Sequence, residues 1–199
     1  MKTARETSVT GLILAGGAGR RVSGQDKGLL DYRGAPLVEH VVTRLRPQVN
    51  HLLISCNRNH SAYRRYAETI ATDLRGGFQG PLAGIEAALP LLQTDIVVIA
   101  PCDAPLIPPD LVSRLVMPLS AGTDACELCY AHDGQRDQYL FAAGRVTHLA
   151  TLSDFLDSGG RAVRDWFSLQ RAIPIDFSDQ REAFSNHNTL RSINPGDRA

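Results

Sequence analysis

A run of glycines and three cations crowd one short stretch of a chain whose formal net charge is zero: Gly16, Gly17, Gly19, Arg20, Arg21 and Lys27, within Leu12-Ile-Leu-Ala-Gly-Gly-Ala-Gly-Arg-Arg-Val-Ser-Gly-Gln-Asp-Lys-Gly28. Glycines remove side chains where a backbone must turn and bring its N–H groups against a bulky anion. Guanidinium and ammonium groups add charge-assisted donors, so phosphate is the ligand that this chemistry suits. Spacing excludes two familiar phosphate motifs. A P-loop needs lysine directly after its second glycine, but Gln25 and Asp26 separate Gly24 from Lys27. The dinucleotide fingerprint read from Gly17 meets Val22 where its last glycine should stand. The other chemical candidate is Asp103 in Pro101-Cys-Asp-Ala-Pro105. An aspartate there is either a turn former or a hard oxygen ligand. A basic loop on a neighbouring strand favours the ligand, with Mg²⁺ bridging carboxylate and phosphates.

Both candidates need strands to deliver them to one edge. Val9 to Leu14 and Ile96 to Ala100 are short, continuous apolar runs, the pattern of buried strands in a parallel sheet. Leu37, Val38, Val41, Val42 and Leu45 lie on one helical face that follows Pro36 and stops at Pro47. His51–Ser55 is a second strand with Cys56-Asn57-Arg58-Asn59 just beyond it, where ligands of open α/β sheets bind. A helix over 61–68 and a short strand near 69–71 lead to Asp73. The segment 73–80, with Gly76, Gly77 and Gly80, reads as a mobile loop. Gly80-Pro-Leu-Ala-Gly84 then opens a helix over 85–92, a place where a ligand can approach helix N–H groups. Further on, the pattern predicts a helix from Pro108 that Pro118 ends. A hairpin about Asp133–Arg136 joins strands 125–132 and 138–142. Helices over 145–156 and from Ser158 to Trp166 and a last strand over 171–177 follow. Arg161 is a solvated charge or an anion contact. Cys126 and Cys129, placed three apart in a strand, face opposite sides and suit neither a shared metal nor a disulfide.

The pattern L-A-G-G-x-x-x-R-x-x-G-x-D-K, carried by Leu14, Ala15, Gly16, Gly17, Arg21, Gly24, Asp26 and Lys27, resembles the signature loop of the GT-A-like nucleotidyltransferases. It is most similar to that of the molybdenum cofactor guanylyltransferases. The resemblance implies a three-layer α/β/α sandwich with a mostly parallel, Rossmann-like sheet. It implies GMP transfer from GTP to the terminal phosphate of Mo-molybdopterin, with Mg²⁺ as cofactor and pyrophosphate released. It makes Asp103, Lys27 and Arg21 catalytic, with Asp103 also the metal ligand. The GTP contacts it assigns are Leu14, Ala15, Gly16, Gly17, Lys27, Ser55, Asp73, Gly80, Gly84 and Asp103. Ser55 stands where the family's N-x-N-R pattern has asparagine, and a hydroxyl is shorter and offers one donor. Arg161, Asn186 and Asn188 are assigned to the pterin substrate, with Leu190 replacing the proline of N-x-N-T-P. Proteins that deliver or accept the molybdenum cofactor are partners that this role admits. A cytidylyltransferase, a sugar-1-phosphate nucleotidyltransferase and a non-catalytic GTP-binding regulatory module share most of these features and stay open.

Length and composition bound the rest. With 199 residues, 43% of them hydrophobic, the chain reads as one domain, its nucleotide half 9–105 and its acceptor half 106–199. A pI near 7.0 points away from nucleic acid and membrane surfaces as partners. No apolar run reaches the roughly 18–20 residues that span a bilayer. Met1 to Ser8 is polar, so an unstructured lead and a cytoplasmic protein are expected. The four cysteines then read as structural thiols.

Overall fold

The computed structural model describes residues 7–17, 25–77, 79–120 and 126–185. In chain order the elements are β1 (Val9–Leu14), β2 (Asp31–Tyr32), β3 (Ala35–Pro36), α1 (Leu37–Leu45), β4 (His51–Ser55), α2 (His60–Tyr63), β5 (Thr69–Ala71), α3 (Pro81–Ala88), β6 (Ile96–Pro101), α4 (Leu111–Ser120), β7 (Leu128–His132), β8 (Asp137–Arg145), α5 (Thr151–Asp157), α6 (Val163–Ser168) and β9 (Ala172–Asp176). Among the described residues a seven-stranded sheet has the order β5-β4-β1-β6-β8-β7-β9, and β2 and β3 form a separate small ribbon.

The sheet is mostly parallel. The β5–β4, β4–β1 and β1–β6 pairs run parallel, β8 alone is antiparallel to its neighbours β6 and β7, and β9 is parallel to β7. Strands enclosed on both faces lose the alternation of polar and apolar residues, and every residue of β1 and β6 is buried. Successive side chains still part to opposite faces. Val9, Ile13 and Ala15 pack with Val38, Val41, Leu111 and Leu115 of α1 and α4. Leu12 and Leu14 pack with Leu82, Ile85, Leu152, Leu156 and Trp166 of α3, α5 and α6. The result is the three-layer α/β/α sandwich. From β1 the chain builds outward through β4 to β5, then crosses back over the opposite face through α3 to set β6 on the other side of β1. A reversal of this kind opens a crevice beyond the carboxyl ends of the strands.

Several local expectations shift. Pro36 lies one residue before α1 rather than at its first position, and α2 closes after a single turn. Helix α3 begins at Pro81, so Gly84 is inside it. Helix α4 runs through Pro118 to Ser120, because a proline in the last turn forfeits one bond in a helix about to end. Strand β7 starts at Leu128, so Cys126 precedes the pleat and is free to fold back. Its Sγ lies 3.3 Å from that of Cys129, which corrects the expectation that the two sulfurs face apart. Both remain thiols, and burial together with the Cys126 contact pushes the Cys129 thiol well above its ordinary value.

Candidate active site

Strand register puts the chemical residues at one level. Leu14 aligns with Ser55 on β4 and with Pro101 on β6. Just past the strand ends, Cys102 N donates to the Leu14 carbonyl at 3.1 Å and Ala15 N donates to the Ser55 carbonyl at 2.8 Å. The turn Ala15–Gly17, Ser55 and Asp103 therefore leave the sheet together. They frame a cavity of about 390 Å³ lined by Leu14–Gly17, Lys27, Ser55, Gly80, Pro81, Gly84, Pro101–Asp103 and Leu140.

Of the residues assigned to GTP, nine thus line one cavity, and Asp73 lies in a smaller one beside it with Asn57, Arg75 and Gly77. Arg21, Asn186 and Asn188, with Arg20 and Gly24, lie outside the described residues. Arg161 is brought to the rim beyond Gly80, where its Nε donates to Gln79 Oε1 at 2.5 Å and its Nη1 to the Leu156 and Gly160 carbonyls at 2.7 and 2.5 Å. Pro81 belongs to the Gly80–Gly84 stretch expected to meet a ligand, whereas no sequence pattern points to Leu140 as a wall residue. Leu140 enters because the antiparallel β8 brings its start beside the exit of β6, a pairing that no local pattern announces.

The cavity has a charged wall and a packed one. On the first, Lys27 Nζ stands 3.3 Å from Asp103 Oδ2, with 25% and 11% of the two side chains exposed. Among the described residues no three His, Cys, Asp or Glu side chains gather as a metal centre, and Asp103 is the one carboxylate lining the cavity. One hard carboxylate beside a phosphate pocket fits Mg²⁺, which takes few protein ligands and completes its shell with phosphates and water. Cys102 is a poor rival as ligand or nucleophile, since burial pushes its thiol well above the ordinary value and the thiol is the unreactive form.

On the packed wall, a Cβ on Gly84 would lie 2.7 Å from Ser55 Oγ and 3.3 Å from Leu14 Cδ2. Ser55 is 1% exposed, and its Oγ has no hydrogen-bond partner among the described residues. A buried hydroxyl left so is costly unless a ligand completes it. Gly80 enters α3 at φ +90°, where a side chain is strained. Behind this wall Asn57 Nδ2 donates to Asp73 Oδ2 at 2.7 Å, and Asp73 N donates to Asn57 Oδ1 at 3.0 Å. Burial raises the Asp73 carboxyl above its ordinary value and the Glu86 charge adds to this, while the Asn57 bond pulls the other way. Within the glycine-rich stretch, Arg75 is tied down. Its guanidinium donates to both Glu86 oxygens at 2.7 Å and to Asp157 at 2.7 Å, linking the loop to α3 and α5.

Comparison with known proteins follows the same lines. Residues 11–172 match the family described as MobA-like NTP transferase domain. A protein of Shewanella amazonensis named molybdenum cofactor guanylyltransferase is 38% identical over 185 residues, 93% of each chain. One of the same name from Mannheimia succiniciproducens is 38% identical over 187 residues, 94% of this chain and 97% of that one. Among solved structures, molybdopterin-guanine dinucleotide biosynthesis protein A from Archaeoglobus fulgidus shares the fold with a TM-score of 0.76 at 23% identity, over 94% of this chain and 95% of that one. A 4-diphosphocytidyl-2C-methyl-D-erythritol synthase from Anaerococcus prevotii, at 11% identity, has a TM-score of 0.68 over 94% and 95%.

Proposed function

The chain belongs to the MobA-like NTP transferase family, and we infer that it is a molybdenum cofactor guanylyltransferase, moving GMP from GTP to the terminal phosphate of Mo-molybdopterin. The observation that carries this is the pairing of Lys27 with Asp103 across a cavity walled by the Leu14–Gly17 backbone. A terminal phosphate oxygen of the acceptor attacks the α-phosphorus of GTP, the α–β bridging P–O bond breaks, and pyrophosphate leaves as a dinucleotide forms. A phosphate is already nucleophilic near neutral pH, so the protein needs no general base. Its task is to bring two polyanions together and hold them in line.

Lys27 and Asp103 neutralise each other across 3.3 Å. An arriving triphosphate competes for the ammonium, and Lys27 then faces charge that builds on the leaving group. Asp103, released from that pair, is the residue that would hold Mg²⁺, which when bound supplies positive charge to the phosphates. Arg21 is assigned the same electrostatic role as Lys27. Gly16 and Gly17 offer amides to the nucleotide, while Ala15, whose N–H already serves Ser55, contributes wall alone. The guanine lies toward Ser55, Gly80 and Gly84, with Asp73 behind. The unpaired Ser55 Oγ is the group available to a base edge where relatives offer asparagine. The acceptor half extends over 106–199 with Asn186 and Asn188, and Arg161 braces the rim through Gln79. The whole chain acts as one domain and works in the cytoplasm; no helix among the described residues is long and apolar enough to cross a membrane.

The test is pyrophosphate release by the purified protein with Mo-molybdopterin, Mg²⁺ and each nucleoside triphosphate. Release with GTP alone is expected. Release with CTP, or with sugar phosphates as acceptors, would make it a different nucleotidyltransferase. Tight GTP binding with no pyrophosphate from any acceptor would make it a regulatory module.

A further inference from the structure

Asp26 precedes Lys27 and is only 8% exposed, yet it does not line the cavity. Both its oxygens are taken up by protein. Oδ1 accepts the Tyr63 hydroxyl at 2.5 Å and Oδ2 accepts Asn59 Nδ2 at 3.0 Å, while Arg58 Nε stands 3.7 Å from Oδ2 as an ion pair. A carboxylate so buried and so fully engaged is a structural anchor, because losing either donor would strand a charge away from water. Arg58 also donates from Nη2 to the Gln25 carbonyl at 2.8 Å, which fixes the residue before the anchor.

Tyr63 reaches the other neighbour of the lysine as well. It is fully buried, and a Cβ on Gly28 would meet its hydroxyl at 2.5 Å and Cys102 Sγ at 3.3 Å. One hydroxyl therefore bonds the residue before Lys27 and packs against the residue after it. Gly28 in turn is pressed toward the residue that precedes Asp103. Burial, the neighbouring Cys102 and the bond to Asp26 all push the Tyr63 hydroxyl well above its ordinary pKa, so it stays a donor throughout the working range.

We propose that Tyr63 is a positioning residue for the reaction: through Asp26 on one side and Gly28 on the other, its hydroxyl sets where Lys27 stands relative to Asp103. This rests on the assignment of Lys27 to the phosphates. Removing the hydroxyl leaves the packing of the ring and lets the lysine drift, and small misplacements of a group that acts in the transition state lower kcat more than they raise KM.

The test is a double-mutant cycle of Y63F and K27A, read as kcat and KM for GTP in pyrophosphate release, with Tm alongside. Y63F is expected to lower kcat about 10-fold with little change in KM. In the K27A background the same substitution should change kcat by less than about 2-fold, because the group it positions is gone. Equal losses in both backgrounds, or an unchanged kcat for Y63F in the otherwise native chain, would overturn the proposal. Should Y63F melt below the assay temperature, D26N replaces it in the cycle with the same two outcomes. K27A alone separates the two ideas: wild-type turnover by K27A would remove Lys27 from the site, whereas a slow K27A with additive Y63F would remove only Tyr63.

Discussion

The two walls of the cavity are built on opposite principles. One holds a partly exposed lysine and a buried carboxylate that both line the cavity and bond each other across 3.3 Å. The other holds Ser55 and Gly84 so closely that a single added carbon would lie 2.7 Å from the hydroxyl. Charges that face a cavity can trade one partner for another as ligands come and go, so the first wall suits changing charge during a reaction. A packed wall cannot trade anything. It accepts or refuses a shape and offers the Ser55 hydroxyl, unpaired among the described residues, which suits selection among ligands. The contrast teaches that damage to the first wall should appear in turnover and damage to the second in binding.

The largest expected effect is on the charged wall. Asp103→Ala should lower kcat by about 10³-fold while circular dichroism and Tm stay near native values. Near-native turnover with Mg²⁺ would dissolve the distinction between the walls. Lys27→Ala should cost about 100-fold in kcat, the scale for deleting one electrostatic donor. Its KM for GTP, measured in the same titration, should move far less.

On the packed wall, Gly84→Ala should raise KM for GTP about 10-fold and leave kcat at saturation within a few-fold, because the new methyl presses on Ser55 and Leu14 where the base is to lie. If kcat fell instead, the two walls would not be separable. The smallest effect is behind that wall. The Arg75 bond holds the Glu86 carboxyl below its ordinary range, although burial pushes it up. Since the folded value is the lower one, the stability it contributes is present above the unfolded value of about 4.3 and is lost as pH falls through the folded value. Glu86→Gln should therefore lower Tm near neutral pH by roughly 2–6 °C and flatten the acid limb of a Tm–pH curve. Kinetic constants at 25 °C should hardly change.

How far the sequence discloses these walls depends on how local their causes are. Strands β1 and β6 are legible because short apolar runs bounded by Gly16 and by the Pro101–Pro105 turn suit buried strands better than helices. Of the glycine and lysine loop, Gly16, Gly17 and Lys27 can be picked out by residue type, and they line the cavity. The role of Asp26 is not legible, because its bond to Tyr63 spans 37 positions and nothing near either residue announces it. Arg75 is similar: three glycines in 73–80 suggest looseness, but the partners that tie the loop sit on α3 and α5. The Cys126–Cys129 contact is hidden from the sequence for a smaller reason. A shift of strand start to Leu128 frees Cys126 from the alternation that would have turned it away. Leu140 reaches the cavity only through the antiparallel pairing of β8 with β6, which is topology rather than pattern.

The most direct test of the convergence of loop, lysine and carboxylate on one nucleotide is a crystal structure of the protein with GTP and Mg²⁺. The triphosphate is expected beside Gly16, Gly17 and Lys27 with the cation on Asp103, and the guanine against Ser55 and Gly84. A nucleotide bound elsewhere, or one seated in this cavity with its phosphates turned away from Lys27 and Asp103, would contradict the account.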